Sequence, residues 1–315
     1  MKAKHTLAGA LALAMLASTA VSFQVSAADT AVTLKGAKVE AEAGGEFSVD
    51  VSLEDIPSTK VNVMDFAVTY DQTVLNVDSV KIGKSADVDV SGDSTASDAP
   101  VFATNIKDGE ITVSWTTALD SNSWISEDGV ILTITGTVKD GVADGTVTPI
   151  DFAPVTRETY DGSGKNNSSM VIGYVYGGDS ATYTINAEAG SVTIGSKQTT
   201  TVTTTEGGKD TTATEATTTA TESKTDVTKA TTTISGNIVT GTVAPGSVLY
   251  GDVNCDGTID ILDAVLLQKY LNGSVQLNYT QLANSDCQKD SQLDITDVTV
   301  LMQYLLRSFT SLPVA

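Results

Sequence analysis

Near its end the chain carries one unit written twice, and few folds accommodate that spacing. Asp252, Asn254, Asp256, Gly257, Thr258, Asp260 and Asp263 stand at positions 1, 3, 5, 6, 7, 9 and 12 of a loop. Asp286, Gln288, Asp290, Ser291, Gln292, Asp294 and Asp297 keep the same spacing in a second copy. A hard cation such as calcium takes about six to eight oxygen ligands, and a twelve-residue loop delivers them from about these positions. Thr258 and Gln292, at position 7, would contribute backbone carbonyls and need no acidic side chain. Gly257 suits the sharp turn at position 6, where a Cβ is unfavourable. The expectation is two structural Ca2+ ions, one held by Asp252, Asn254, Asp256, Thr258, Asp260 and Asp263. The other is held by Asp286, Gln288, Asp290, Gln292, Asp294 and Asp297. Each loop runs straight into an apolar helix, the first over Ile261–Leu271 and the second over residues 295–306. No helix is expected to enter the first loop, because Pro245, Gly246 and Ser247 are turn material.

A loop with an exit helix, repeated in tandem and closed by Asp at position 12, resembles a dockerin, the calcium-dependent plug of cellulosome assemblies. The resemblance spans residues 250–306 and implies a small all-α calcium-loop module over residues 248–315. The second loop departs from the family at Gln288 and Ser291, which weakens its expected affinity. The two repeats match where a shared core is expected: Ala264 with Val298, Leu267 with Leu301, Leu271 with Leu305. They diverge on the neighbouring stripe, Leu262 against Thr296, Leu266 against Val300 and Lys269 against Gln303. Residues at i, i+4 and i+7 share one helix face. Ile261, Leu262, Leu266 and Lys269 are therefore the expected partner-binding surface, engaged in a single dominant orientation.

The other end of the chain reads as a leader. Lys2, Lys4 and His5 precede an apolar run at residues 7–17, and Val25, Ser26, Ala27 and Ala28 offer small residues for cleavage. Residues 1–28 are expected to be a secretory signal peptide, with an apolar run too short to span a bilayer. His5 is the only histidine, so the mature chain would hold none and could not use one as base or metal ligand. With 39 acidic against 18 basic residues and a net charge of −21, nucleic acid and anionic membrane are poor partners. Residues 309–315 offer no apolar anchor, so attachment to a cell would be non-covalent and indirect. Cys255 and Cys287 sit at positions 4 and 2 of their loops. An exported chain permits a bridge between them, and the non-equivalent positions leave it open.

Residues 29–197 read as many short strands. Residues 46–53 alternate polar and apolar side chains, as do Val63–Tyr70, 110–115 and 130–138. In the second of these, Met64, Phe66, Val68 and Tyr70 share one face, which leaves Val63, Asp65, Ala67 and Thr69 on the other. About 170 residues of this kind suffice for one sandwich core. The sequence order is more specific. Gly44, Gly45 and Glu46 open a strand, the Tyr70-Asp71 turn leads to Leu75, and Asp128-Gly129-Val130 begins a later strand. That order resembles a cohesin, the receptor for dockerins. The resemblance implies a nine-stranded, all-β jelly-roll sandwich that binds its partner through a sheet face, with Asp65 and Ala67 in the contact.

Residues 198–247 are rich in threonine and nearly free of large apolar side chains, which predicts an extended, solvated linker. Catalysis is a poor fit for this chain. Asp120, Glu127, Asp128 and Glu158 are candidate carboxylates, but aromatic content is 5% and the mature chain lacks histidine. A sugar-binding sandwich carried into a cellulosome by the dockerin is the alternative. It would need an exposed ring, and only Trp115 and Trp124 are large enough; Trp115 falls in phase with Ile111 and Val113 and is expected inside. Taken together, the modules resemble a single-cohesin adaptor scaffoldin of the ruminococcal type. That resemblance implies an extracellular, non-catalytic connector. Its dockerin would dock onto the cohesin of a larger scaffoldin, and its cohesin would recruit a dockerin-bearing enzyme or other subunit.

Overall fold

The computed structural model describes residues 25–88, 101–176, 179–195 and 248–314. The apolar run of the expected leader and the whole threonine-rich stretch lie outside these residues. Among the described residues, twelve strands precede three helices. They are β1 (Val25–Gly36), β2 (Lys38–Glu42), β3 (Glu46–Glu54), β4 (Val63–Tyr70), β5 (Leu75–Ile82) and β6 (Val101–Lys107). Then follow β7 (Glu110–Thr116), β8 (Gly129–Val138), β9 (Val147–Ala153), β10 (Val171–Tyr176), β11 (Asp179–Glu188) and β12 (Gly190–Gly195). The helices are α1 (Ile261–Leu271), α2 (Tyr279–Ser285) and α3 (Ile295–Leu305).

One layer runs β5-β8-β3-β1-β11, and the other gathers β6, β7, β4, β9, β12 and β2; β10 pairs with both β11 and β4 and joins them. Twelve strands appear where nine were implied, partly because the chain changes layer in mid-strand. β1 pairs with β11 and β3, but beyond Ala37 the chain continues as β2 beside β12. β11 and β12 divide in the same way at Ala189. Where the two crossings meet, the backbones nearly touch: a Cβ on Gly36 would lie 2.5 Å from the Gly190 nitrogen. Only glycine fits there. β1 begins at Val25, inside the stretch assigned to the leader, and its first residues pair in parallel with Ser180, Ala181 and Thr182.

The alternation in the sequence explains the core. Val49, Val51 and Leu53 of β3 point inward, as do Leu132 and Ile134 of β8 and Met64, Phe66 and Val68 of β4. Trp115 is fully buried among them, and its ring nitrogen donates to the Ala86 carbonyl at 3.1 Å. β3 shows the burial alternation of a sheet with one wet face, whereas β4 from Val63 to Val68 and all of β7 are buried on both faces. Something covers their polar side.

That cover is the helical module. α1 and α3 pack together through Ala264, Leu267, Leu271, Val298, Leu301 and Leu305, in a cluster with Val253 and Cys287. Val253 and Cys287 both hold position 2 of their loops, so Cys287 fills the place of a small apolar side chain. Both cysteines are free, Cys255 exposed and Cys287 buried. The tail turns back on this core: Phe309, Leu312 and Val314 pack against it, and the Val314 N–H donates to the Cys287 carbonyl at 2.9 Å. α2 went unread in the sequence, although its signal is there. Asn278 and Gln281 form a capping box, each side chain accepting from the other's backbone N–H at 3.0 Å. Asn284 near its end then fixes the entry to the first loop. Its amide donates to the Asp252 carbonyl at 2.6 Å and its Oδ1 accepts from Leu249 N–H at 3.0 Å.

Candidate protein-docking interface

The two loops have the same internal frame. Asp252 accepts the Asp256 and Gly257 N–H groups at 3.0 and 3.1 Å, and Asp286 accepts those of Asp290 and Ser291, both at 3.0 Å. Asp263 accepts from Asn254 and Asp260, both at 2.9 Å, and Asp297 accepts from Gln288 at 3.2 Å and Asp294 at 3.0 Å. The last residues of each loop also cap the exit helix. Asp260 receives the Leu262 N–H and Asp294 the Thr296 N–H, both at 2.8 Å. The first loop has further braces: Asn254 donates its amide to Asp256 at 2.9 Å and accepts the Asp256 N–H on its Oδ1 at 2.9 Å.

This frame draws carboxylates together and removes them from water. Burial and the neighbouring Asp256 push Asp252 up to about 6. Asp260 rises to about 7 and Asp263 well above the usual range, again first through burial and then through neighbouring carboxylates. Burial lifts Asp297 in the second loop to about 6. Charges held so close and so dry call for a cation. Among the described residues no group of three or more ionisable or thiol side chains suffices by itself to hold a metal. The oxygen set a hard cation needs here would also draw on the Asn254 amide and the Thr258 carbonyl, and the loop residues fit that chemistry.

The covered face of the sandwich meets α1. Val63 of β4 with Val171 and Val175 of β10 joins one apolar cluster with Leu262 and Leu266. Around it run directional polar contacts. Ile259 N–H donates to the Thr159 carbonyl at 2.8 Å, and Arg157 Nη1 donates to the Ile259 carbonyl at 2.8 Å. Asn105 donates to the Leu306 carbonyl at 2.7 Å, and Arg307 donates to Glu110 at 3.0 Å. Lys269 stands 6.0 Å from the centre of the Trp124 ring, itself stacked on Tyr174.

Asp65 and Ala67 lie on the outward side of β4, as the alternation requires, but that side is not solvated. Asp65 is 1% exposed, accepts from Ser114 at 2.7 Å and pairs with Arg157 at 3.0 Å. Ala67 is fully buried. Leu262, Leu266 and Lys269 are all turned toward the sandwich and buried, while Ile261 is fully buried in the apolar cluster that they share. On the second repeat Ile295 and Thr296 stay exposed. Sequence reasoning passed over Arg157 and Arg307, yet they are the only arginines in the chain and both lie in this contact. Their rarity in so acidic a chain was the available signal, since arginine is enriched where planar, desolvated contacts are made. Trp115 and Trp124 are 0% and 5% exposed, so neither presents a ring face for stacking on a sugar.

A sheet face seating the first helix of a paired loop–helix module is a protein-docking arrangement. Residues 32–172 match the cohesin domain model, and residues 250–306 match the dockerin type I domain model. The chain therefore carries a cohesin domain followed by a type I dockerin domain. Dockerins bind cohesins, type I dockerins bind calcium, both are non-catalytic interaction modules, and cellulosomal cohesin–dockerin proteins are extracellular. Among solved structures, the seventh ScaB type I cohesin from Pseudobacteroides cellulosolvens is 22% identical, with 54% of this chain and 95% of that chain covered at a TM-score of 0.38. The sixth cohesin of scaffoldin B from Acetivibrio cellulolyticus, solved with a mutant Cel5 dockerin, is also 22% identical, covering 52% and 99% at 0.39. A non-cellulosomal cohesin from Archaeoglobus fulgidus is 18% identical, covering 54% and 94% at 0.36. No curated protein matches the chain.

Proposed function

We propose that this chain is a secreted adaptor scaffoldin. Its dockerin docks onto the cohesin of a larger scaffoldin, and its cohesin recruits a dockerin-bearing enzyme or subunit. The observation that carries the reading is the presence of both halves of a receptor–plug pair on one chain, each with an apolar face bordered by directional polar groups. The domain limits that go with it are a leader at 1–28, a cohesin at 29–197, a linker at 198–247 and a dockerin at 248–315. Two calcium ions serve a structural role, one in the loop from Asp252 to Asp263 and one in that from Asp286 to Asp297. Asp65 and Ala67 contribute to the receptor face, and Ile261, Leu262, Leu266 and Lys269 to the plug. No helix among the described residues is long and apolar enough to cross a membrane, which is compatible with attachment by docking.

The test is affinity capture by the full chain from a fibre-degrading secretome, in calcium and in excess chelator. A cohesin-bearing scaffoldin should be captured in calcium and lost on chelation, whereas a dockerin-bearing subunit should be captured through the other end. A chain that binds crystalline cellulose and captures no protein would overturn the reading in favour of a sugar-binding sandwich.

A further inference from the structure

We infer that the two ends of this chain are ligands for each other, so that its own dockerin occupies its own cohesin until an outside partner displaces it. This goes beyond the adaptor reading, and its test uses no outside partner.

The contact has the character of recognition. Both arginines lie in it, Arg157 reaching from the sandwich to the Ile259 carbonyl and Arg307 from the helical module to Glu110, at 2.8 and 3.0 Å. Two further bonds engage backbone groups at opposite ends of the module: Ile259 with Thr159 at 2.8 Å and Leu306 with Asn105 at 2.7 Å. Between them, Leu262 and Leu266 complete an apolar cluster with Val63, Val171 and Val175. The two repeats share a fold but not a surface: the first turns its larger apolar stripe, Leu262 and Leu266, onto the sandwich, whereas the second reaches it through the end of its helix, at Leu306 and Arg307. Ile295, the counterpart of Ile261, remains 45% exposed.

Tethering makes such a contact persist. A flexible chain as long as the segment from 196 to 247 has a root-mean-square span of about 40 Å. A tether of that reach holds two sites at an effective concentration on the order of 1 mM. Even a pairing with a Kd near 10 μM between separate molecules would then be closed about 100-fold more often than open. An outside cohesin or dockerin must overcome that factor, and capturing either end releases the other. Occupation of one end thus raises the apparent affinity of the other by the same ratio.

Small-angle scattering of the full chain in calcium, at several protein concentrations, tests the inference. The closed chain should give a radius of gyration that is independent of concentration. Arg307→Glu, Glu110→Arg, and Leu262→Asp with Leu266→Asp should each raise it by several Å with helicity unchanged. The exchanged pair, Arg307→Glu with Glu110→Arg, should return it toward the wild-type value. A wild-type radius matching that of the Leu262→Asp, Leu266→Asp variant would overturn the inference. Growth of the wild-type particle with concentration would also overturn it, since the ends would then pair between copies. If a charge variant loses helicity, the leucine variant decides.

Discussion

Ser291 holds a left-handed backbone at φ 64° where the first loop places Gly257 at φ 87°. A side chain in that region costs about 1–2 kcal/mol, and glycine relieves it. Ser291→Gly should therefore tighten calcium binding at the second loop by about tenfold, read by calorimetric titration of the full chain; unchanged affinity would show the turn to be unstrained. Asp65 supports a second prediction at this scale. Its partner Arg157 is itself nearly buried, with 7% of its side chain exposed. Asp65→Ala leaves an uncompensated guanidinium, and breaking a buried pair this way costs about 3–5 kcal/mol. The variant should both lose docking and melt lower by several degrees, where a solvated Asp65 would have left the melting temperature unchanged. The repeated loop spacing, the left-handed turn and the inward Trp115 were all legible, because each follows from spacing or phase along one segment. The burial of Asp65 was not, because it depends on Arg157 and on a module nearly two hundred residues away.

At the level of elements, the same limit explains what alternation conveys. β3, β4, β7 and β8 could be placed from period-two patterns almost to the residue, and α1 and α3 from the loops that precede them. α2, at seven residues, is too short to show a periodic face and is marked only by its caps. A strand's pattern also says which side is polar without saying whether that side is wet: Thr112, Ser114 and Thr116 of β7 look like a solvent face and are buried. The contrast between α1 and α3 gives the third prediction. Leu262 and Leu266 are buried against the sandwich, whereas Thr296 is exposed and Val300 sits at the edge of the module's own core. Removing two buried leucine side chains forfeits about 3–6 kcal/mol of transfer free energy alone. Leu262→Ala with Leu266→Ala should abolish capture of a cohesin partner, while Thr296→Ala with Val300→Ala should weaken it only a few-fold. If each pair binds normally and only the combination fails, the plug works from both faces.

For the whole molecule, calcium, helical structure and docking form one chain of dependence. The carboxylates of the first loop are raised by burial and by one another, so in metal-free protein at neutral pH their repulsion opposes the loop that positions Ile259 and starts α1. Chelation should then reach beyond the loops themselves. It should melt α1 and α3, withdraw the Ile259 contacts from Thr159 and Arg157, and remove Lys269 from the Trp124 ring. The two tryptophans report on this separately. Trp115 is sealed in the sandwich core with its ring nitrogen bonded to the Ala86 carbonyl, and both residues belong to the sandwich's own apolar cluster. Trp124 lies at the junction, beneath Lys269 and against Tyr174 and Tyr176. Excess chelator should therefore lower the helical signal and shift tryptophan emission to the red, and Trp124→Phe should abolish the shift while Trp115→Phe preserves it. Loss of helicity with no change in Trp124 emission would show that the module folds through calcium but does not cover that part of the sandwich.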